Sequence, residues 1–272
     1  MLEREEIKKF LHGVGVAPTD TVIIHTSMKS LGEVSFGCDG LIDAFCDYLS
    51  DGLFLVPTHT WANVGSSSPV FDVRKTAPCI GALPTVAAFR QDGIRSLHPT
   101  HSIVGFGKRA AEFLSGEEKC TSPCPPGGAW ARLYDEDAKI LLIGVGLDKC
   151  TYVHAIDEII DLKDRLAAPT PLTVIDGAGN EYKIDFCGHA STGSRNFEVY
   201  RKPLAAHGAL KTAMLGNATV TVVYARRALS VIEHLWKKAD HDLTKEPREI
   251  PESDYSDLFI PPEAKSIHSR GE

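Results

Sequence analysis

The sequence predicts an α/β fold in a single domain, a central mixed sheet flanked by helices, and three features carry that reading. Short aliphatic and β-branched runs, Thr21 to Ile24, Leu53 to Val56 and Lys139 to Val145, have the length of buried strands and are too short for helices. Amphipathic stretches lie between them, giving the strand–helix–strand order of a partly parallel sheet. Near the other end, two alternating runs flank Gly177-Ala178-Gly179-Asn180, a hairpin turn that places antiparallel strands beside the parallel ones. With 272 residues, no repeat and no linker, one domain over 1–272 is expected, closing in a polar tail from about residue 240.

Each element has a local reason. Ile7, Phe10 and Leu11 are spaced for a helix that stops at Gly13. Thr21 to Ile24 is a strand that delivers His25-Thr26-Ser27 at its carboxyl end. Gly37 to Tyr48 is a helix with Leu41, Ile42, Phe45 and Tyr48 on one side, and Leu53 to Val56 is a strand stopped by Pro57. Residues 62–79, rich in glycine, serine and proline, read as a long loop. Helices follow over 81–90, 108–114 and 128–134, with Ile103-Val104 as a short strand. The strand from Lys139 runs into Gly146-Leu147-Asp148, and a helix continues to Ile160 with Thr151 expected at its N-cap. Leu172 to Ile175, Tyr182 to Phe186 and Val220 to Tyr224 are further strands, and Ala228 to Lys238 is the last helix.

Composition narrows the class of function. Twenty-nine Lys and Arg against 36 Asp and Glu give a net charge of −7, which opposes phosphate backbones and anionic lipid surfaces. Neither a nucleic-acid nor a membrane partner is expected, and no run is long and apolar enough to span a bilayer. The opening Met1-Leu2-Glu3-Arg4-Glu5-Glu6 is acidic where an export signal is basic, so a cytoplasmic location is expected. Seven scattered cysteines, an odd number, read as free thiols.

Four segments could carry chemistry. Ligands of open α/β sheets bind at the carboxyl ends of strands, where His25 and Thr58-His59-Thr60 lie. After the Lys139 strand, His154 and Asp157 are three apart on one helix and share a face. A carboxylate holding one imidazole nitrogen leaves the other a proton acceptor, as general-base catalysis requires, though a structural pair has the same spacing. His25 to Gly32 is rich in hydroxyls and Lys29 and could cradle phosphate, but it is not a Walker loop. His98 and His101, with His189 from elsewhere, could bind a metal in a hydrolase, or could be hydrogen-bonded loop residues. No glycine cluster has dinucleotide spacing.

Taken together, His25-Thr-Ser-Met-Lys-Ser-Leu-Gly32, Pro57-Thr-His-Thr60, Phe71-Asp72, Gly81-Ala-Leu-Pro84, Arg95-Ser-Leu-His-Pro-Thr-His-Ser102 and Leu142-Ile-Gly-Val-Gly-Leu-Asp148 resemble the antibiotic N-acetyltransferase family, whose named members are the aminoglycoside 3-N-acetyltransferases. Thr151-x-x-His154-x-x-Asp157 and Leu215-Gly-Asn-Ala218 continue the resemblance in order, from about residue 5 to 236. It implies a non-GNAT fold, acetyl-CoA as donor, a cationic amine such as an aminoglycoside as acceptor, direct transfer in a ternary complex, and no metal. A homodimer is compatible with it.

Carried over by position, His154 is the general base, oriented by Asp157, which stands where the family has glutamate, or by Glu158 beside it. His25 lies between donor and acceptor. Ser27, Met28, Lys29, Ser30 and Leu31, with His98, Pro99, Ser102 and Ile103, line the coenzyme A channel. Asp148, Asp72, His59 and Glu158 face the acceptor, His59 standing where the family commonly has phenylalanine. A non-aminoglycoside amine as acceptor, a coenzyme A-binding protein without catalysis, and a metal-dependent hydrolase are the alternatives.

Overall fold

A computed structural model describes residues 1–190 and 193–260 of the chain. It opens with α1 (Arg4–Gly13), whose Ile7 and Leu11, one turn apart, are fully buried. There follow β1 (Thr21–Thr26), the single turn α2 (Met28–Leu31), α3 (Gly37–Tyr48), β2 (Leu53–Pro57), β3 (Val70–Asp72) and α4 (Ala82–Ala88). The middle of the chain holds β4 (Ile94–Arg95), β5 (Ile103–Phe106), α5 (Ala110–Phe113), α6 (Ala129–Asp135), β6 (Lys139–Ile143) and α7 (Thr151–Ile159). The remainder holds β7 (Leu166–Ile175), β8 (Glu181–His189), α8 (Arg201–Ala206), β9 (Leu210–Leu215), β10 (Ala218–Tyr224) and α9 (Ala225–Lys238).

The main sheet has seven strands in the order β4-β5-β2-β1-β6-β10-β9. Its centre is parallel, β1 pairing with β2 on one side and β6 on the other, and its margins are antiparallel. This is the expected mixed sheet. The central strands bury both faces, which is why they read as unbroken apolar runs. One face packs under α1 and α3, the other under α6, α7 and α9, giving two separate hydrophobic cores.

A second sheet, β3-β7-β8, lies outside the main one and has its own small core around Phe71, Val174 and Phe186. The long loop expected over 62–79 contains β3. The hairpin turn at 177–180 falls as expected, but β7 begins six residues before the predicted Leu172, because Pro169 and Pro171 belong to the strand. Thr173, of the same parity, donates its N–H to Pro69 on the β3 side. The two prolines therefore lack N–H groups where β3 has not yet begun, so no ladder bond is lost. The polar residues after α9 also differ from an unattached tail: Thr244, Ile250 and Tyr255 are buried, and Asp242 is bonded to Arg165. The tail beyond 260 lies outside the described residues.

Candidate active site

β2, β1 and β6 run in the same direction, so their carboxyl ends open together. His25 and Thr26 end β1, Thr58-His59-Thr60 follow β2, and Gly144 to Cys150 lead from β6 into α7. Gly144 has φ +66°, and a Cβ there would stand 2.4 Å from Ser30 Cβ, so the β6 turn and α2 touch closely only because this residue is glycine. The antiparallel pairing of β2 with β5 is prolonged past both strands. Thr58 and Thr60 donate backbone N–H groups to Ser102 (2.7 Å) and Thr100 (2.8 Å), which sets His59 beside His101 with ring centres 4.5 Å apart.

These ends and the second sheet enclose a cavity of about 840 Å³, walled by His25, His59, His101, Asp148, His154 and His189 among others. The second sheet supplies Thr170 and Leu172 from β7 and Phe186, Gly188 and His189 from β8. The volume lies in the range of small-molecule sites, roughly 300–1,000 Å³.

Six imidazoles meet here. The His154 and His189 rings stack with centres 4.0 Å apart and planes 27° apart, and Phe197 meets His154 edge-on at 4.9 Å. His189 touches His101 at 5.4 Å, and Trp130 lies between His59 (5.5 Å) and His25 (6.0 Å). Burial holds five of the six uncharged. It lowers His25 and His98 to about 4 and takes His59, His101 and His154 well below the ordinary imidazole value, neighbouring imidazoles adding to the effect in the last three. The Nε2 atoms of His25, His59 and His189 are buried without a hydrogen-bond partner among the described residues, which leaves unspent bonding capacity in three residues of the cavity wall.

His98 has no such capacity. Its Nδ1 accepts the N–H groups of Thr100 and His101, so the proton is on Nε2, which donates to the Ser122 carbonyl at 3.0 Å. It is a turn-forming residue with both nitrogens used, and it cannot join His101 and His189 around a metal. Among the described residues no group of three or more His, Cys, Asp or Glu is arranged to hold one.

The carboxylates near His154 are committed elsewhere. Asp157 Oδ2 lies 3.6 Å from Arg165 Nε, and Glu158 accepts the Ser122 hydroxyl and the Cys124 N–H (2.8 Å). Among the described residues neither one hydrogen-bonds the His154 ring. Glu158 Oε1 instead lies 3.8 Å from His189 Nε2. Asp148 lines the cavity with Lys149, their charged ends 2.7 Å apart.

The other expected residues divide. His25, His59, Asp148 and His154 share the cavity; Asp157 and Glu158 stand behind it. Lys29 and Ser30 are exposed on α2, directly after cavity-lining His25 and Thr26, and Ser27 caps that turn, accepting the Ser30 N–H at 3.2 Å. Met28 packs partly against the core and Leu31 is buried in it. His98, Pro99, Ser102 and Ile103 are buried and do not line the cavity; the Ser102 hydroxyl bonds Thr58. Asp72, on β3, is held by Arg74 and Lys75 away from the wall. His189 is the neighbour of His154 that local spacing could not reveal, since it arrives from another sheet.

A family model described as aminoglycoside 3-N-acetyltransferase matches residues 23–237. The chain is 28% identical over 181 residues to aminoglycoside N(3)-acetyltransferase IX of Micromonospora chalcea, covering 60% of this chain and 64% of that protein's length. It superposes with a TM-score of 0.74 on aminoglycoside acetyltransferase AAC(3)-IVa in complex with a gentamicin, at 22% identity over 87% of this chain and 89% of that one. AAC-IIIb in a binary complex with CoASH gives the same score at 20% identity, over 87% and 96%. The two structural matches carry the fold.

Proposed function

The chain belongs to the aminoglycoside 3-N-acetyltransferase family, and from that premise we propose that it moves the acetyl group of acetyl-CoA to the 3-amino group of an aminoglycoside in a ternary complex. The observation that carries the reading is His154, half-buried in the wall of a cavity large enough for a small molecule and held uncharged by burial.

The chemistry follows from that state. An alkylammonium cannot attack a carbonyl until it loses a proton. His154, neutral, accepts that proton as the nitrogen attacks the thioester carbon. The N–C bond forms, the C–S bond breaks, and the sulfur leaves as the coenzyme thiol with the second proton shed by the nitrogen, while the first passes from His154 to solvent. General-base help of this kind is worth about 10²–10⁴-fold. In this reading backbone N–H groups of the segment after His25 stabilise the developing oxyanion, and Asp148, in the cavity wall, meets a second ammonium of the acceptor. Lys29 and Ser30 serve the polar arm of the coenzyme. Such a donor is a metabolite of the cytoplasm, which is where this reading puts the protein.

The test is release of free thiol from acetyl-CoA with gentamicin-, kanamycin- and apramycin-type acceptors. Thiol release that depends on the aminoglycoside, with acetylation mapped to the 3-amino group, is expected. No release with any amine would overturn the proposal.

A further inference from the structure

We propose that His189 positions the His154 ring for proton transfer by lying face to face with it. This rests on the reading of His154 as the residue that takes the proton.

A base must hold one orientation, and the usual device is a carboxylate on the far ring nitrogen. α7 does not provide it: Asp157 is committed to Arg165 and Glu158 to Ser122 and Cys124. What the His154 ring does have is two aromatic walls, His189 stacked at 4.0 Å and Phe197 edge-on at 4.9 Å. A flat ring between two such walls loses most of its freedom to rotate, and offset stacking and edge-to-face contact are the two geometries aromatic pairs favour.

His189 needs a fixed support to act as a wall. Its Nε2 is buried without a hydrogen-bond partner among the described residues and lies 3.8 Å from Glu158 Oε1. Glu158 is itself immobilised by the Ser122 hydroxyl and the Cys124 N–H. At 3.8 Å no hydrogen bond joins Glu158 to His189, so it is the face of His189, held in the β8 ladder opposite Leu166, that fixes the base. Stacked rings cannot pass a proton edge to edge, so His189 acts on orientation and is a positioning residue, separate from the proton path.

The experiment compares kcat and KM of the intact protein with His189→Ala and His189→Phe. Loss of a group that holds a reacting side chain in place costs up to about 10²-fold. His189→Ala is therefore expected to lower kcat by roughly ten- to a hundredfold, with KM for acetyl-CoA nearly unchanged. His189→Phe keeps a flat face against His154 without the ring nitrogens, and recovers most of kcat. A residue that served packing alone would not lower kcat at constant KM. Full kcat in His189→Ala overturns the proposal, and so does a His189→Phe variant as slow as His189→Ala, since the nitrogen would then matter and the face would not. Where the wild type transfers acetyl to no amine, the acetyltransferase reading falls on its own. Crystal structures of the two variants then decide the positioning claim: His154 in several rotamers in His189→Ala but one in His189→Phe supports it, and one unchanged rotamer in both overturns it.

Discussion

Asp157 turns from the imidazole three residues before it and pairs with Arg165, Oδ2 to Nε 3.6 Å. Arg165 already holds Asp242 through two nitrogens, at 2.8 and 3.1 Å, and its guanidinium lies over Trp236. The segment that follows α9 is thereby tied to the helix that carries His154.

That arrangement makes Asp157 a pH-dependent burden on the fold. Burial raises it to about 7 against the opposing pull of Arg165. The folded state then keeps a proton that the unfolded chain releases near pH 3.8. Its contribution is most favourable below that value and is lost as pH rises through about 7. Asp157→Asn, which cannot ionise, is expected to melt above the wild type at pH ~8 by about 2–4 °C per kcal/mol gained, with an advantage that shrinks as pH falls and vanishes only toward 3.8. Thermal melts across that range check this. A variant less stable than wild type at alkaline pH would show that the Arg165 pair outweighs burial.

Acid should unfold the protein early. Five histidines, His25, His59, His98, His101 and the half-buried His154, have values lowered from 6.5, so each gains a proton on unfolding as pH falls below that point. Asp157 and Glu117, both raised by burial, work the other way over part of the same range. Five sites against two leave a net uptake on unfolding, so stability falls as pH drops from about 6.5 toward 4. Denaturant midpoints should decrease steadily across that interval. Midpoints that stay level or rise would mean that the imidazole cluster is hydrated and charged.

Gly144 is the tightest joint between donor-side and base-side segments. Gly144→Ala puts a side chain at φ +66° and within 2.4 Å of Ser30 Cβ. The backbone strain alone costs about 1–3 kcal/mol, and relief of the clash requires α2 to move. Reduced stability together with a raised KM for acetyl-CoA is expected. Gly177→Ala, whose new methyl would meet nothing within 4 Å, is the control and should behave as wild type. Equal effects of the two substitutions would remove the special role of the joint.

Much of the fold was legible because its central strands are buried on both faces and so write themselves as apolar runs; Thr21 to Ile24 and Leu53 to Val56 fall inside β1 and β2. Strand β6 ends at Ile143, two residues before the apolar run does, since Gly144 and Val145 form the turn. The helix after it starts at Thr151, with Cys150 and not Thr151 in the capping position. Strand β9 and helix α8 carry no clear pattern in the sequence: Lys211 and Thr212 interrupt one, and Pro203 lies in the other. At the site, residues that share a strand end could be grouped from sequence, as His25 and His59 were. The partners of the two α7 carboxylates could not, because Arg165, Ser122 and His189 are brought to them by chain folding and not by spacing. The same holds for Ser102, since nothing in the histidine-rich loop before the Ile103-Val104 strand signals that the loop extends its pairing with β2 and is buried.

The most direct measurement is the single-turnover rate of acetyl transfer by His154→Ala, set beside coenzyme A affinity measured by calorimetry. A fall of about 10²–10⁴-fold in rate, with coenzyme A affinity close to that of the wild type, is the predicted result. An unchanged rate, or a loss of rate matched by loss of coenzyme binding, would contradict His154 as the proton acceptor.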